Sequence, residues 1–150
     1  MAINLKNYTT EVPASRSIDY IEKLLVEFGA TNIMKEYEEL PPLPGRICNS
    51  IAFRIVVDGN SLAIKLPANV KGIAIWLRKK KSSGTDKTIC EQAYRIAWKQ
   101  QYEILHLQLS QVETQQRELM SVFLPDTFDI NNNQTFYQKL KAEGFKQLTY

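Results

Sequence analysis

The chain has 150 residues, 44% of them hydrophobic and 23% charged, with a formal net charge of +3. That length fits one domain with its own hydrophobic core, so neither a disulfide framework nor a metal staple is required. The mild positive charge permits a nucleic-acid partner without demanding one, and no apolar run approaches the ~18 residues of a membrane span.

The opening Met1-Ala2-Ile3-Asn4-Leu5-Lys6 lacks the apolar centre of a secretory signal. Residues 1–13 read as an arm that ends at Pro13. Ser15 or Ser17 is placed to cap a first helix, and Ile18, Ile21, Leu24, Leu25 and Phe28 follow at helical spacing. Gly29 suits the left-handed position that closes it, giving a helix over about 15–28. Ile33–Tyr37 predicts a short strand. Leu40-Pro41-Pro42-Leu43-Pro44-Gly45-Arg46 is a loop, because its prolines remove backbone donors. Ile51, Phe53, Ile55 and Val57 alternate with smaller or polar residues, and Leu62, Ile64 and Leu66 do the same beyond Asp58-Gly59-Asn60. This is a β-hairpin on an Asp-Gly turn, with the first helix as the expected cover for its apolar face.

Pro67 stops the second hairpin strand. Val70, Ile73, Ala74 and Leu77 predict a helix over about 69–80, ending in Arg78-Lys79-Lys80-Lys81. From Thr85 to Leu124 there is neither glycine nor proline. Asp86, or Thr88 with Glu91 as a capping box, is a candidate start. Apolar residues keep helical phase as far as Phe123. Unbroken, such a helix has ~35 residues and is ~52 Å long, with a kink near His106–Ser110 as the alternative. A polar Asn131-Asn132-Asn133 loop and a short helix over about 134–143 complete the chain. The fold class is α+β: an N-terminal helix, a three-stranded antiparallel meander, a helix, a long helix and a short terminal helix. It forms one domain over 1–150, with an α-β-β-β-α part (1–84) and a helical part (85–150).

Few residues carry chemistry. The one histidine, His106, lies inside the long helix without a ligand partner at metal spacing. Cys48 and Cys90 fall among apolar residues, as buried thiols do. Glu36 and Glu38 share one face of the predicted strand. They would suit a cation or an acid/base pair, as in a metal-dependent hydrolase, but a charged strand edge that discourages pairing is the simpler reading. No nucleophile–histidine set or phosphate-binding loop is present. The expectation is therefore no catalytic residue, no metal and no cofactor: the chain is not an enzyme.

Charge is distributed unevenly. Residues 1–84 hold 12 Lys/Arg against 8 Asp/Glu, and residues 85–150 hold 7 against 8. Arg78, Lys79, Lys80 and Lys81, with Arg54 and Lys65 on the hairpin's polar face and Lys87, Arg95 and Lys99 on the long helix, form a candidate phosphate-tracking surface. Cations at a helix C-terminus also simply offset its dipole. Tyr94, Trp98 and Tyr102 recur every fourth residue. They are read as core packing, with Trp98 as the candidate aromatic for stacking on bases or a partner. The polar faces of the long helix leave room for self-association as a homodimer.

Two resemblances add to this. The helix–strand–strand–strand–helix order of residues 15–80 is similar to the double-stranded-RNA-binding domain. Its histidine-bearing loop corresponds to Pro41–Arg46, which has no histidine. Its lysine-rich helix start corresponds to Asn69-Val70-Lys71, with one lysine, so its RNA grip does not carry over. Ala93-Tyr94-Arg95-Ile96-Ala97-Trp98, Val122-Phe123-Leu124-Pro125 and Thr135-Phe136-Tyr137 resemble uncharacterised small proteins of bacteriophages and mobile elements, in which an aromatic often stands where Asp126 does here. That resemblance implies the cytoplasm of a bacterial host cell. There, a small non-enzymatic protein would bind nucleic acid, or would act as an anti-CRISPR-like counter-defence inhibitor of a host nuclease complex.

Overall fold

The computed structural model describes residues 3–80 and 84–149. The elements are α1 (Ala14–Glu27), β1 (Thr31–Glu39), β2 (Arg46–Val57), β3 (Asn60–Pro67), α2 (Val70–Lys80), α3 (Asp86–Glu113), α4 (Leu119–Phe123), β4 (Phe128–Asp129), β5 (Gln134–Thr135) and α5 (Phe136–Ala142). The α+β order read from the sequence is the observed one. β1, β2 and β3 form an antiparallel sheet in chain order. β2 and β3 turn on Asp58-Gly59, both at positive φ (50° and 81°), which a two-residue type I′ hairpin turn requires.

Period-two patterning sets the layers. Ile51, Phe53 and Ile55 of β2 and Ile64 of β3 are buried, while Arg54 and Val56 between them are exposed. The helices therefore cover one face of the sheet and leave the other open. Ile18, Ile21 and Leu25 of α1 share one core with Ile51, Phe53 and Ile55. α3, which lies between α1 and α2, reaches β2 through Tyr94 and Trp98, so the first helix covers the hairpin together with α3. Phe123 of α4 completes the cover, packing edge-on against Phe53 at 5.3 Å. Ala93 and Ala97, small and both buried, lie on the helix that packs closely against α1 and α2.

Several helix ends differ from expectation. α1 starts after Pro13 with no side-chain cap; Ser15 and Ser17 lie inside it. α2 is capped by Asn69, whose Oδ1 accepts from the Gly72 N–H at 2.9 Å. A Cβ at residue 72 would lie 2.5 Å from that Asn69 side chain, so Gly72 exchanges helix propensity for a cap. α3 is capped by Thr85, which accepts from the Thr88 N–H, rather than by Asp86 or Thr88.

The long helix is also shorter than its sequence permits. Its 28 residues span about 42 Å, with no break at His106–Ser110. It stops at Thr114 because Gln115 turns into the left-handed region (φ 63°). The Gln116 N–H then reaches the Gln111 carbonyl (2.8 Å) and the Gln115 N–H the Val112 carbonyl (3.0 Å). These two bonds make a Schellman stop built without glycine. Beyond it, one isolated bridge from Thr127 to Ile64 sets the separate two-stranded β4–β5 sheet beside β3.

Candidate nucleic-acid interface

The basic residues fall into three groups. The first is the corner where α2 ends and α3 begins. Arg78 Nε bonds Asp86 Oδ1 at 2.7 Å, and its Nη2 reaches Cys90 Sγ at 3.4 Å. Arg78 is thus a tie between the two helices, and the Asp86 charge is neutralised. Lys79, Lys80 and Lys87 are exposed and make no ion pair among the described residues. Lys80 Nζ stands 5.8 Å over the Trp76 ring, which meets Tyr8 edge-on. The positive end of the α3 dipole points into the same corner. Lys81 lies outside the described residues.

The second group is on the open sheet face. Arg54 is exposed there. Lys65 is held between Glu36 (3.1 Å) and the Phe128 ring (5.2 Å). The sheet separates this face from the helix layer, so Arg54 and Lys65 do not merge with the α2–α3 corner into one surface.

The third group lies along α3 under the N-terminal arm. Arg95 donates twice to Gln92 Oε1, and Gln92 Nε2 in turn donates to the carbonyls of Tyr8 and Thr10. Lys99 pairs with Glu103 at 3.6 Å, and Asn7 and Lys6 bind the same carboxylate. These contacts hold the Glu103 carboxyl below its ordinary range, first through the Asn7 bond. Arg95 also lines a shallow polar groove with Thr9, Thr10 and Thr88, about two helical turns beyond Lys87. Lys99 fastens the arm rather than extending a basic face.

Trp98 is not a stacking residue. It is 0% exposed, and its Nε1–H donates to the Cys48 carbonyl at 2.9 Å. The Cys48 N–H donates to Tyr94 Oη at 3.0 Å. The two α3 side chains clamp one peptide of β2, beside a bulge at which Asn49 has no partner on β1. Burial pushes both the Tyr94 hydroxyl and the Cys48 thiol up, so both remain protonated at neutral pH. Tyr102, the outer member of the series, lies between Tyr20 (5.3 Å) and His106 (5.6 Å, stacked with nearly parallel planes).

The paired carboxylates are also separated. Glu36 goes to Lys65, and Glu38 goes to Lys71 of α2 at 3.1 Å. The bulge lies between residues 36 and 37, and bulges re-aim side chains. Among the described residues no three His, Cys, Asp or Glu side chains are grouped to hold a metal ion, and no helix is long and apolar enough to cross a membrane. Only tertiary contacts reveal the Arg78–Asp86 tie, the arm clamp and a cleft at Asp126; no local spacing signals them. No family model, curated protein or solved structure matches the chain.

Proposed function

We propose that this chain is a non-enzymatic accessory protein that binds nucleic acid through its phosphates at the α2–α3 corner, in the phage or mobile-element setting its sequence resembles. One observation carries the reading. Lys79, Lys80 and Lys87 crowd the N-terminal end of a 28-residue helix, while the acid between them, Asp86, is taken by Arg78. Unpaired lysines at a helix N-terminus attract phosphate by charge and dipole together. Three or four phosphate contacts imply a log–log salt slope of about −2.7 to −3.6 on duplex DNA. Fluorescence anisotropy with duplex and single-stranded oligonucleotides at 50–200 mM salt tests this, and no binding at the lowest salt defeats it.

A second reading has its own support. β1 is an edge strand, and its three central charges turn inward: Lys35 to Glu22 (2.7 Å), Glu36 to Lys65 and Glu38 to Lys71. Charges that would otherwise guard the edge are neutralised, and Met34 is left 62% exposed. Such an edge suits a partner that adds a strand, as an inhibitor of a host nuclease complex would. Co-purification with such a complex that survives Tyr37→Lys would count against this route.

A further inference from the structure

A cleft of about 190 Å³ lies between α1, β3, α3, α4 and the segment that follows α4. Its walls are apolar, with Leu66, Ile104, Val122 and Pro125 among them, and its polar groups are Gln101, Gln108 and Asp126. Asp126 is half-buried, and no hydrogen bond or ion pair reaches its carboxylate among the described residues. Gln101 donates its amide N–H to the Pro67 carbonyl at 2.9 Å, which leaves its amide oxygen as an acceptor. Among the described residues no lysine, arginine or histidine lines the cleft. An anion would find no partner here, whereas a cation with N–H donors would find an unpaired carboxylate and at least one acceptor beside it. Ile104, at the rim, is 54% exposed, so the apolar wall continues to the surface.

We propose that this cleft binds a small aliphatic ammonium compound, its carbon chain against Leu66, Ile104 and Val122 and its charged head on the Asp126 carboxylate. The volume equals that of about six waters in the liquid, enough for a short alkyl chain but not for a ring system with substituents. Apolar walls with a few convergent polar groups are what small-ligand sites are built from. Burial alone pushes the Asp126 carboxyl up to about 6, with no charged neighbour contributing. A bound cation would relieve that penalty.

The site is distinct from the α2–α3 corner, so its test is independent of nucleic-acid binding. The full chain, ¹⁵N-labelled, is titrated at pH 7.5 with n-hexylammonium, hexan-1-ol and hexanoate, and backbone amide shifts are followed. The expected result is saturable shifts at residues 101–108 and 122–127. The ammonium should bind about tenfold or more tightly than the alcohol, and hexanoate most weakly. Asp126→Asn should bring the ammonium down to the alcohol's affinity. The wild-type chain at pH 5 gives a second reading that needs no variant. There Asp126 is about nine-tenths protonated, so ammonium affinity should fall about tenfold while the alcohol's is unchanged. The proposal is overturned if ammonium and hexanoate bind alike, if shifts fall outside the cleft, or if the ammonium preference survives in Asp126→Asn or at pH 5.

Discussion

At the scale of single residues, the clearest consequences come from buried polar atoms. Trp98→Phe keeps most of the apolar volume but strands the Cys48 carbonyl, so it should cost about 1–3 kcal/mol. Trp98→Ala adds a cavity and should cost about 3–5 kcal/mol. Denaturant midpoints give both values, and an unchanged midpoint in Trp98→Phe would mean that the bond contributes nothing. Asp126 has the opposite sign. Its folded-state carboxyl titrates at about 6 against an ordinary 3.8, so the folded chain holds that proton more tightly than the unfolded one. The associated stability is fully present below about pH 3.8 and is lost as pH rises towards 6. Asp126→Asn should therefore be more stable than wild type at pH 7, by about 1–2 kcal/mol once the residue's remaining water contact is allowed for. The gap should close below pH 4.

At the scale of elements, local signals were legible and long-range ones were not. The β2–β3 hairpin shows in the sequence because alternation and an Asp-Gly turn lie within neighbouring residues. α1 and α2 show for the same reason. The end of α3 does not, because the left-handed residue that stops it is Gln115 rather than glycine. The bulge at Asn49 is invisible for a related reason. It depends on how β1 pairs across a loop, and it splits Glu36 from Glu38 even though their spacing places them together. Trp98 was ambiguous because a four-residue repeat marks a helix stripe without saying which way it faces. The Gln115 stop makes a sharp expectation. A side chain in the left-handed region is strained, by roughly 1 kcal/mol relative to glycine. Gln115→Gly should thus raise stability by up to about 1 kcal/mol, less the unfolded-state entropy that glycine adds. Thermal unfolding is the measurement, and a clear loss of stability would mean that Gln115 makes a contact outweighing its strain.

At the scale of the whole molecule, the sheet acts as a partition. It places Arg54 and Lys65 on one side and the α2–α3 corner on the other, so the nine basic residues that look like one surface in sequence cannot engage a single phosphate backbone together. Arg95 and Lys99 are further reduced by their work on the N-terminal arm. The partition turns a general expectation of nucleic-acid binding into one with a direction. Lys79→Glu with Lys80→Glu reverses two charges at the corner, neither of which is in an ion pair among the described residues. That variant should lower oligonucleotide affinity at least tenfold at low salt and flatten the log–log salt slope by about 2. Arg54→Glu reverses an equally exposed charge on the opposite face and should leave affinity within about twofold once the small change in net charge is considered. If Arg54→Glu instead weakens binding as much as the corner variant does, the open sheet face is the interface. If neither variant alters binding, phosphate recognition by these lysines is ruled out, and the open edge of β1 becomes the better place to look for a partner.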